Sequence, residues 1–199
     1  MIKIAIDAMG GDFGPEPIIE GVVQALEIEK FLPILVGNTE EIRSFLPPYY
    51  ADKVEIVEAT DVISMSDQAT DALKRKDSSI YKAVELVREK EASAVVSAGH
   101  SGATMTLATL RIGRLPYISK PALATLMPSV VTTKTLVLDV GAVTDCTPQN
   151  LYEFGAMGEA YAQQILGIRS PKVGLLSNGS EDSKGNTLTK AAFKLLKGL

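Results

Sequence analysis

Four times along this chain a short apolar run ends in a polar, glycine-bearing loop, and a helical pattern follows. The loops cover residues 7–14, 99–102, 139–146 and 178–185. Short apolar runs rich in β-branched residues, such as 94–98, read as strands buried on both faces. Strands that alternate with helices select a parallel sheet joined by right-handed crossovers. In open α/β sheets the carboxyl ends of the strands surround the ligand crevice, so loops in these positions can converge on one ligand.

Taken in order, residues 2–6 form a first strand ending at Asp7, and Pro15 opens a helix whose Ile18, Ile19, Val22, Val23 and Leu26 recur at helical spacing to about residue 29. A second strand covers 32–36, and Asn38 or Thr39 caps a short helix stopped by Pro47 and Pro48. A third strand covers 54–57, and a helix over 67–76 ends in the basic run Lys74, Arg75, Lys76, which reads as a solvated face. Ser78 caps a helix with Ile80, Val84 and Val87 on one side. The strand 94–98 follows, then the loop 99–102, then a helix from Ser101 to about residues 111–114. Strands are expected at 121–127 and 135–138, with a polar link around 132–134. Thr147 and Pro148 open a long helix that carries Leu151, Phe154, Gly158, Tyr161 and Ile165 on one face. A strand at 173–176, a polar loop at 177–185 and a helix capped by Asn186 or Thr187 complete the pattern.

Composition removes several function classes. With 46% hydrophobic and 22% charged residues the chain is an ordinary globular sequence. A net charge of −4 gives no general affinity for nucleic acid. The lone Cys146 excludes an internal disulfide and fits a reducing, cytoplasmic compartment. The lone His100 excludes a multi-histidine metal site. No apolar stretch reaches transmembrane length.

The loop Gly99, His100, Ser101, Gly102 joins a strand to a helix start. First-turn N–H groups lack intrahelical partners and the helix dipole makes that end positive, so an anion is a natural guest. A glycine loop that needs only its dihedrals is the competing reading. Ser101 beside His100 suggests a nucleophile and base, but no Gly-x-Ser-x-Gly elbow is present and Ser101 reads better as the helix cap. Cys146 beside Asp145 is either a nucleophile or a small buried side chain. Lys184 is a single cation among Glu181, Asp182 and Ser183, able to hold phosphate or an oxyanion, or else to pair with Glu181 or Asp182. Asp7, Asp12, Asp139 and Asp145 are hard ligands without a metal-binding spacing, and the first strand–helix turn lacks Gly-x-Gly-x-x-Gly, so neither a metal nor a redox cofactor is expected.

Several runs occur in order: Asp-Ala-Met-Gly-Gly-Asp-Phe-Gly-Pro from Asp7, Lys-Asp-Ser-Ser from Lys76, Ser-Ala-Gly-His-Ser-Gly-Ala from Ser97, Pro-Ala-Leu-Ala from Pro121, Leu-Asp-Val-Gly-Ala from Leu138, Asp-Cys at Asp145, and Lys-Gly-Asn-x-Leu-Thr-Lys from Lys184 to Lys190. Together they closely resemble the PlsX family of bacterial phosphate acyltransferases of phospholipid synthesis, over essentially the whole chain. The resemblance implies a Rossmann-like three-layer α/β/α sandwich with a mostly parallel sheet, of the isopropylmalate-dehydrogenase-like kind. It implies that residues 1–199 are a single α/β/α domain, the N-terminal part of a longer family chain.

The implied reaction is attack of inorganic phosphate on the thioester of acyl–acyl carrier protein, giving acyl phosphate. The implied protein needs no cofactor, is a cytoplasmic homodimer and associates peripherally with the membrane. A catalytically inactive fragment that binds carrier protein or phosphate is the alternative. Lys184 is carried over from the family run as the catalytic residue, for phosphate or oxyanion stabilisation. The loop Gly99, His100, Ser101, Gly102 is assigned to phosphate by the anion argument above. Asp7, Gly10, Gly11, Asp12, Asp139, Gly141 and Asn186 are expected to shape the crevice. An acidic carrier protein calls for a basic docking patch, with Lys74, Arg75, Lys76, Arg111, Arg114 and Lys120 as its candidates. The family usually has Asn-Thr in place of His100-Ser101, and asparagine in place of Val143.

Overall fold

The computed structural model describes residues 1–130, 134–179, 181 and 184–199. The chain divides into two compact units, Met1–Gly113 and Arg114–Leu199.

The first unit is built on four parallel strands in the order β3-β2-β1-β4: β1 Lys3–Asp7, β2 Leu32–Gly37, β3 Glu55–Glu58 and β4 Ala94–Ser97. Alternate side chains of a strand point to opposite faces. Ala5, Ile34 and Val36 therefore meet Ala83 and Leu86 of helix α3 (Ser79–Arg88) on one face. Ile6 and Leu35 meet Ile19 and Val22 of α1 (Pro15–Ile28) and Ile42 of α2 (Thr39–Phe45) on the other. This is the expected helix–sheet–helix sandwich. A third cluster joins Ala72, Ile80, Val84, Ala103 and Leu107, and seats helix α4 (Ser101–Leu107) beside α3. A π-helical turn, Ala108–Ile112, continues α4. Arg111 there donates to both carboxylate oxygens of Glu85 at 2.8 Å, and its guanidinium lies over the Tyr81 ring.

Most helix boundaries follow their sequence signals. Asn38 caps α2 by accepting from the Glu41 N–H, and Pro15 stands in the first turn of α1. Ser78 occupies the expected cap position of α3, but its hydroxyl donates backwards to the Arg75 carbonyl. The helix expected at 67–76 is only a 3₁₀ turn, Ala69–Leu73. Gln68 and Asp71 close a capping box around it, and Asp67 and Arg75 are drawn into an ion pair instead of continuing a helix.

The second unit pairs β5 (Ala124–Met127) with β6 (Thr135–Leu138) in an antiparallel ladder, shorter at its start than the expected 121–127. Helix α5 (Pro148–Gln164) opens with the expected Thr147 cap, in a capping box with Asn150. Two glycines on α5 serve as contact points. A Cβ at Gly155 would meet Leu196 of α6 (Thr187–Leu196) at 2.6 Å, and one at Gly158 would meet Leu138 of β6 at 3.1 Å. Phe154 of the expected apolar face is buried, whereas Tyr161 and Ile165 are exposed. Glu153 is buried, and accepts from the N–H and hydroxyl of Ser119. Its burial pushes the carboxyl up, and the Ser119 hydrogen bonds outweigh that and hold it below its ordinary value. The strand expected at 173–176 is not formed, because the apolar run finds no ladder partner among the described residues and leaves Leu176 exposed. Thr132 and Thr133 of the expected polar link, and Ser180, Asp182 and Ser183 of the polar loop, lie outside the described residues.

Candidate functional site

In the first unit the ends of two neighbouring strands are locked together. Parallel register places Asp7 of β1 beside Ser97 of β4. The Ser97 hydroxyl donates to Asp7 Oδ2 at 2.7 Å and accepts from the Gly99 N–H at 3.1 Å. Asp7 Oδ1 accepts from the Gly10 N–H at 3.1 Å. Asp7 is only 3% exposed, so its carboxylate serves as a junction between the two loops. Gly10 and Gly99 let those loops touch: a Cβ on Gly10 would lie 3.0 Å from the Gly99 Cα, and one on Gly99 3.1 Å from the Gly10 Cα. Gly11 has φ near 109° and runs alongside Ala98, while Asp12 is exposed.

His100, not Ser101, is the cap of α4. Its Nδ1 accepts from the Ala103 N–H at 3.2 Å, and Ser101 is the first helical residue. The expectation failed because histidine is an uncommon cap, and Ser, Thr, Asp and Asn are the residues sought at that position. His100 Nε2 lies 3.0 Å from the Asp67 carbonyl oxygen. Both ring nitrogens are therefore in use, and the tempting base for Ser101 is committed elsewhere. Gly102 gives the ring room, since a Cβ there would meet His100 Cε1 at 3.0 Å and Ala69 Cβ at 3.2 Å. The first-turn N–H groups of Ser101 and Gly102 have no intrahelical acceptor.

The remaining candidates belong to the second unit. Asp139 closes its own loop: Oδ1 accepts from the Leu123 and Ala142 N–H groups at 2.9 and 3.0 Å, and Oδ2 from the Val143 N–H at 2.7 Å. Val143 thus contributes its backbone to the loop. Gly141, with φ near 124°, supplies a turn that a side chain would strain. The Cys146 thiol points to the Val143 carbonyl at 3.8 Å. Asn186 caps α6 through the Thr189 N–H at 2.9 Å. Asn178, which sequence reasoning did not single out, holds the neighbouring loop by accepting from the Gly185 N–H at 2.8 Å. Lys184 is exposed, and among the described residues its ammonium makes no ion pair. An open groove of about 750 Å³ runs along Gly185, Asn186, Thr187, Lys190 and Lys194 against Pro148.

Four of the six expected docking cations have internal partners. Arg75 binds Asp61 and Asp67, and Arg111 binds Glu85. Arg114 donates to the Ser119 carbonyl, and Lys120 to the Asp145 carbonyl. Lys74 and Lys76 are exposed. The solvated-face reading of 74–76 therefore fails at Arg75, because Asp61 and Asp67 return to it from far enough back in the chain that local spacing hides them. Ser97 was also missed, and its signal is register: polar residues end two adjacent apolar strands.

A parallel sheet clad by helices on both faces, with glycine loops at the strand ends, puts the chain in the Rossmann-like α/β class. A solved branched-chain phosphotransacylase from Enterococcus faecalis shares this fold, with a TM-score of 0.54 at 19% identity over 84% of this chain and 53% of that one. The chain matches the model of the fatty acid synthesis protein family over residues 2–199 and belongs to that family. A phosphate acyltransferase from a Sulfurovum species is 84% identical over all of this chain and 60% of its own length. A phosphate acyltransferase from Campylobacter concisus is 64% identical over the same shares. The chain thus spans about 60% of the length of the curated relatives it matches.

Proposed function

We propose that this chain belongs to a phosphate acyltransferase that makes acyl phosphate from acyl–acyl carrier protein and inorganic phosphate. The relatives' shared name supports the reaction, and the clamped loop 99–102 carries the site assignment. A phosphate oxygen attacks the thioester carbonyl, and the carbonyl electrons move to oxygen. The tetrahedral intermediate collapses, the C–S bond breaks, and the carrier thiolate leaves with the bonding pair and takes a proton from solvent. Phosphate is its own nucleophile, so neither Ser101 nor Cys146 needs activation. The protein must hold the dianion and stabilise the oxyanion, tasks that lower barriers by about 7–11 and about 3–4 kcal/mol in favourable cases.

The first-turn N–H groups of Ser101 and Gly102 are assigned to phosphate, with Gly99 and His100 shaping the loop. Lys184, exposed and without an ion pair among the described residues, is assigned to the phosphate or oxyanion charge. Asp7, Gly10, Gly11 and Asp12 form the crevice floor of the first unit, and Asp139, Gly141 and Asn186 that of the second. No organic cofactor enters this scheme. The chain is part of a longer, homodimeric, cytoplasmic protein that associates peripherally with the membrane. Among the described residues no helix is long and apolar enough to cross one. In the first unit Lys74 and Lys76 are exposed and available to an acidic carrier; in the second unit Lys190 and Lys194 are exposed on α6.

The test is phosphate-dependent thioester cleavage by this chain and by a version extended to the relatives' full length. Turnover that requires phosphate, and falls about 100- to 1,000-fold in Lys184→Ala, is the expected result. Cleavage without phosphate dependence refutes the reaction, and normal turnover by Lys184→Ala refutes the lysine's role. Phosphate binding without turnover in either version favours the inactive binding fragment.

A further inference from the structure

One guanidinium ties down the segment between β3 and α3. Arg75 Nε donates to Asp61 Oδ2 at 2.7 Å, and Nη2 donates to Asp61 Oδ1. Nη2 also reaches the Val62 carbonyl at 2.8 Å, and Nη1 reaches Asp67 Oδ2 at 2.6 Å. That same Asp67 oxygen accepts from the Ser64 N–H at 2.7 Å. Asp67 is thus fixed from two sides, and its carbonyl faces His100 Nε2.

The partners of His100 define its tautomer. A ring nitrogen that accepts from a backbone N–H carries no proton, so Nδ1, facing the Ala103 N–H, is bare. The proton of the neutral ring then sits on Nε2 and is donated to the Asp67 carbonyl. The opposite tautomer would lose both contacts at once, with two donors facing each other at Ala103 and two acceptors at Asp67. The cap on α4 therefore depends on where segment 61–67 holds one carbonyl oxygen.

We propose that Arg75 and His100 are positioning residues for the phosphate loop. Arg75 fixes the Asp67 carbonyl, that carbonyl fixes the His100 tautomer, and the ring then holds the Ser101 and Gly102 N–H groups in place. This rests on the reading of loop 99–102 as the phosphate site. Lysine cannot replace Arg75, since a point charge cannot bridge Asp61 with two parallel bonds while reaching Asp67. Asparagine at position 100 would supply the cap acceptor but not the distal ring donor to Asp67.

His100 is the sole histidine of the 199 residues, so in this chain its ring ¹⁵N signals are unambiguous. The expected native spectrum shows Nδ1 unprotonated and Nε2 protonated, and Arg75→Lys mixes in the other tautomer. In the full-length enzyme Arg75→Lys raises the KM for phosphate about 3- to 10-fold with kcat within about twofold, the pattern of lost binding. His100→Asn, with α4 still capped, raises that KM as well and carries the test if Arg75→Lys fails to fold. A protonated Nδ1 in the native protein, or His100 signals unmoved by Arg75→Lys, overturns the positioning relay. Inorganic phosphate titrated into the protein is expected to shift the Ser101 and Gly102 amide signals. If they stay fixed while the tautomer is as expected, the phosphate reading of the loop is what falls, and the positioning role for phosphate falls with it.

Discussion

Two glycine substitutions of the same chemistry are expected to move stability in opposite directions. Gly10→Ala places a Cβ 2.5 Å from Asp7 Oδ2 and 3.0 Å from the Gly99 N and Cα. The carboxylate cannot swing aside, because the Ser97 hydroxyl and the Gly10 N–H hold both of its oxygens. Overpacking of this kind costs about 1–3 kcal/mol, and a weakened hydrogen bond to a charged group adds about 1.5–3. Restricting the unfolded chain returns about 0.4–1 kcal/mol. The net loss is about 1.5–5.5 kcal/mol, which at about 2–4 °C per kcal/mol lowers Tm by about 3–22 °C. Gly21 lies inside α1 with no heavy atom within 4 Å of the added Cβ. Alanine there gains about 0.5–1 kcal/mol of helix propensity and raises Tm by about 1–4 °C. Thermal unfolding followed by far-ultraviolet circular dichroism measures both. A Gly10→Ala protein that melts with the wild type would refute the loop-against-loop contact, and equal losses at both positions would refute the assignment of the effect to that contact.

Two further outcomes are expected. Glu85 is held below the ordinary carboxylate range by hydrogen bonds from Arg111, against the opposing effect of burial. Its contribution to stability is complete above the ordinary carboxyl value and is lost as pH falls through the lowered folded one. The Tm gap between wild type and Glu85→Gln should therefore be widest near neutral pH and close progressively below about pH 4. Asn186→Ala removes the α6 cap and should cost about 1 kcal/mol, read from urea unfolding, with a larger loss of amide protection at Thr189 than elsewhere on the helix.

The first unit was largely legible in the sequence, and the reasons are local. Ala5 and Ile6 of β1 and residues 33–36 of β2 are buried, and the Pro15 and Asn38 signals act through neighbouring residues, as Thr147 does in the second unit. What the sequence concealed was long-range. Ser97 pairs with Asp7 across the sheet, and Arg75 binds Asp61 and Asp67 across a turn. Residues 173–176 have strand composition, but composition supplies no ladder partner. Among the site residues, Gly10 and Gly99 serve the close approach of one loop to the other, whereas sequence reasoning assigned the glycines to anion approach, turn dihedrals or the crevice. His100 as a cap was not foretold, since histidine is an uncommon cap, and its second contact, to the Asp67 carbonyl, comes from far back in the chain.

Helix α5 carries Gly155 and Gly158 in its interior, beneath Leu196 and Leu138. Each glycine costs a helix about 1 kcal/mol relative to alanine, so α5 has weak standing of its own in the unfolded chain. Its consolidation waits on leucines that lie before it on β6 and 41 residues beyond Gly155 on α6. During synthesis the ribosome releases α5 well before Leu196 emerges. The expected order is that α5 frays until α6 arrives to cover Gly155.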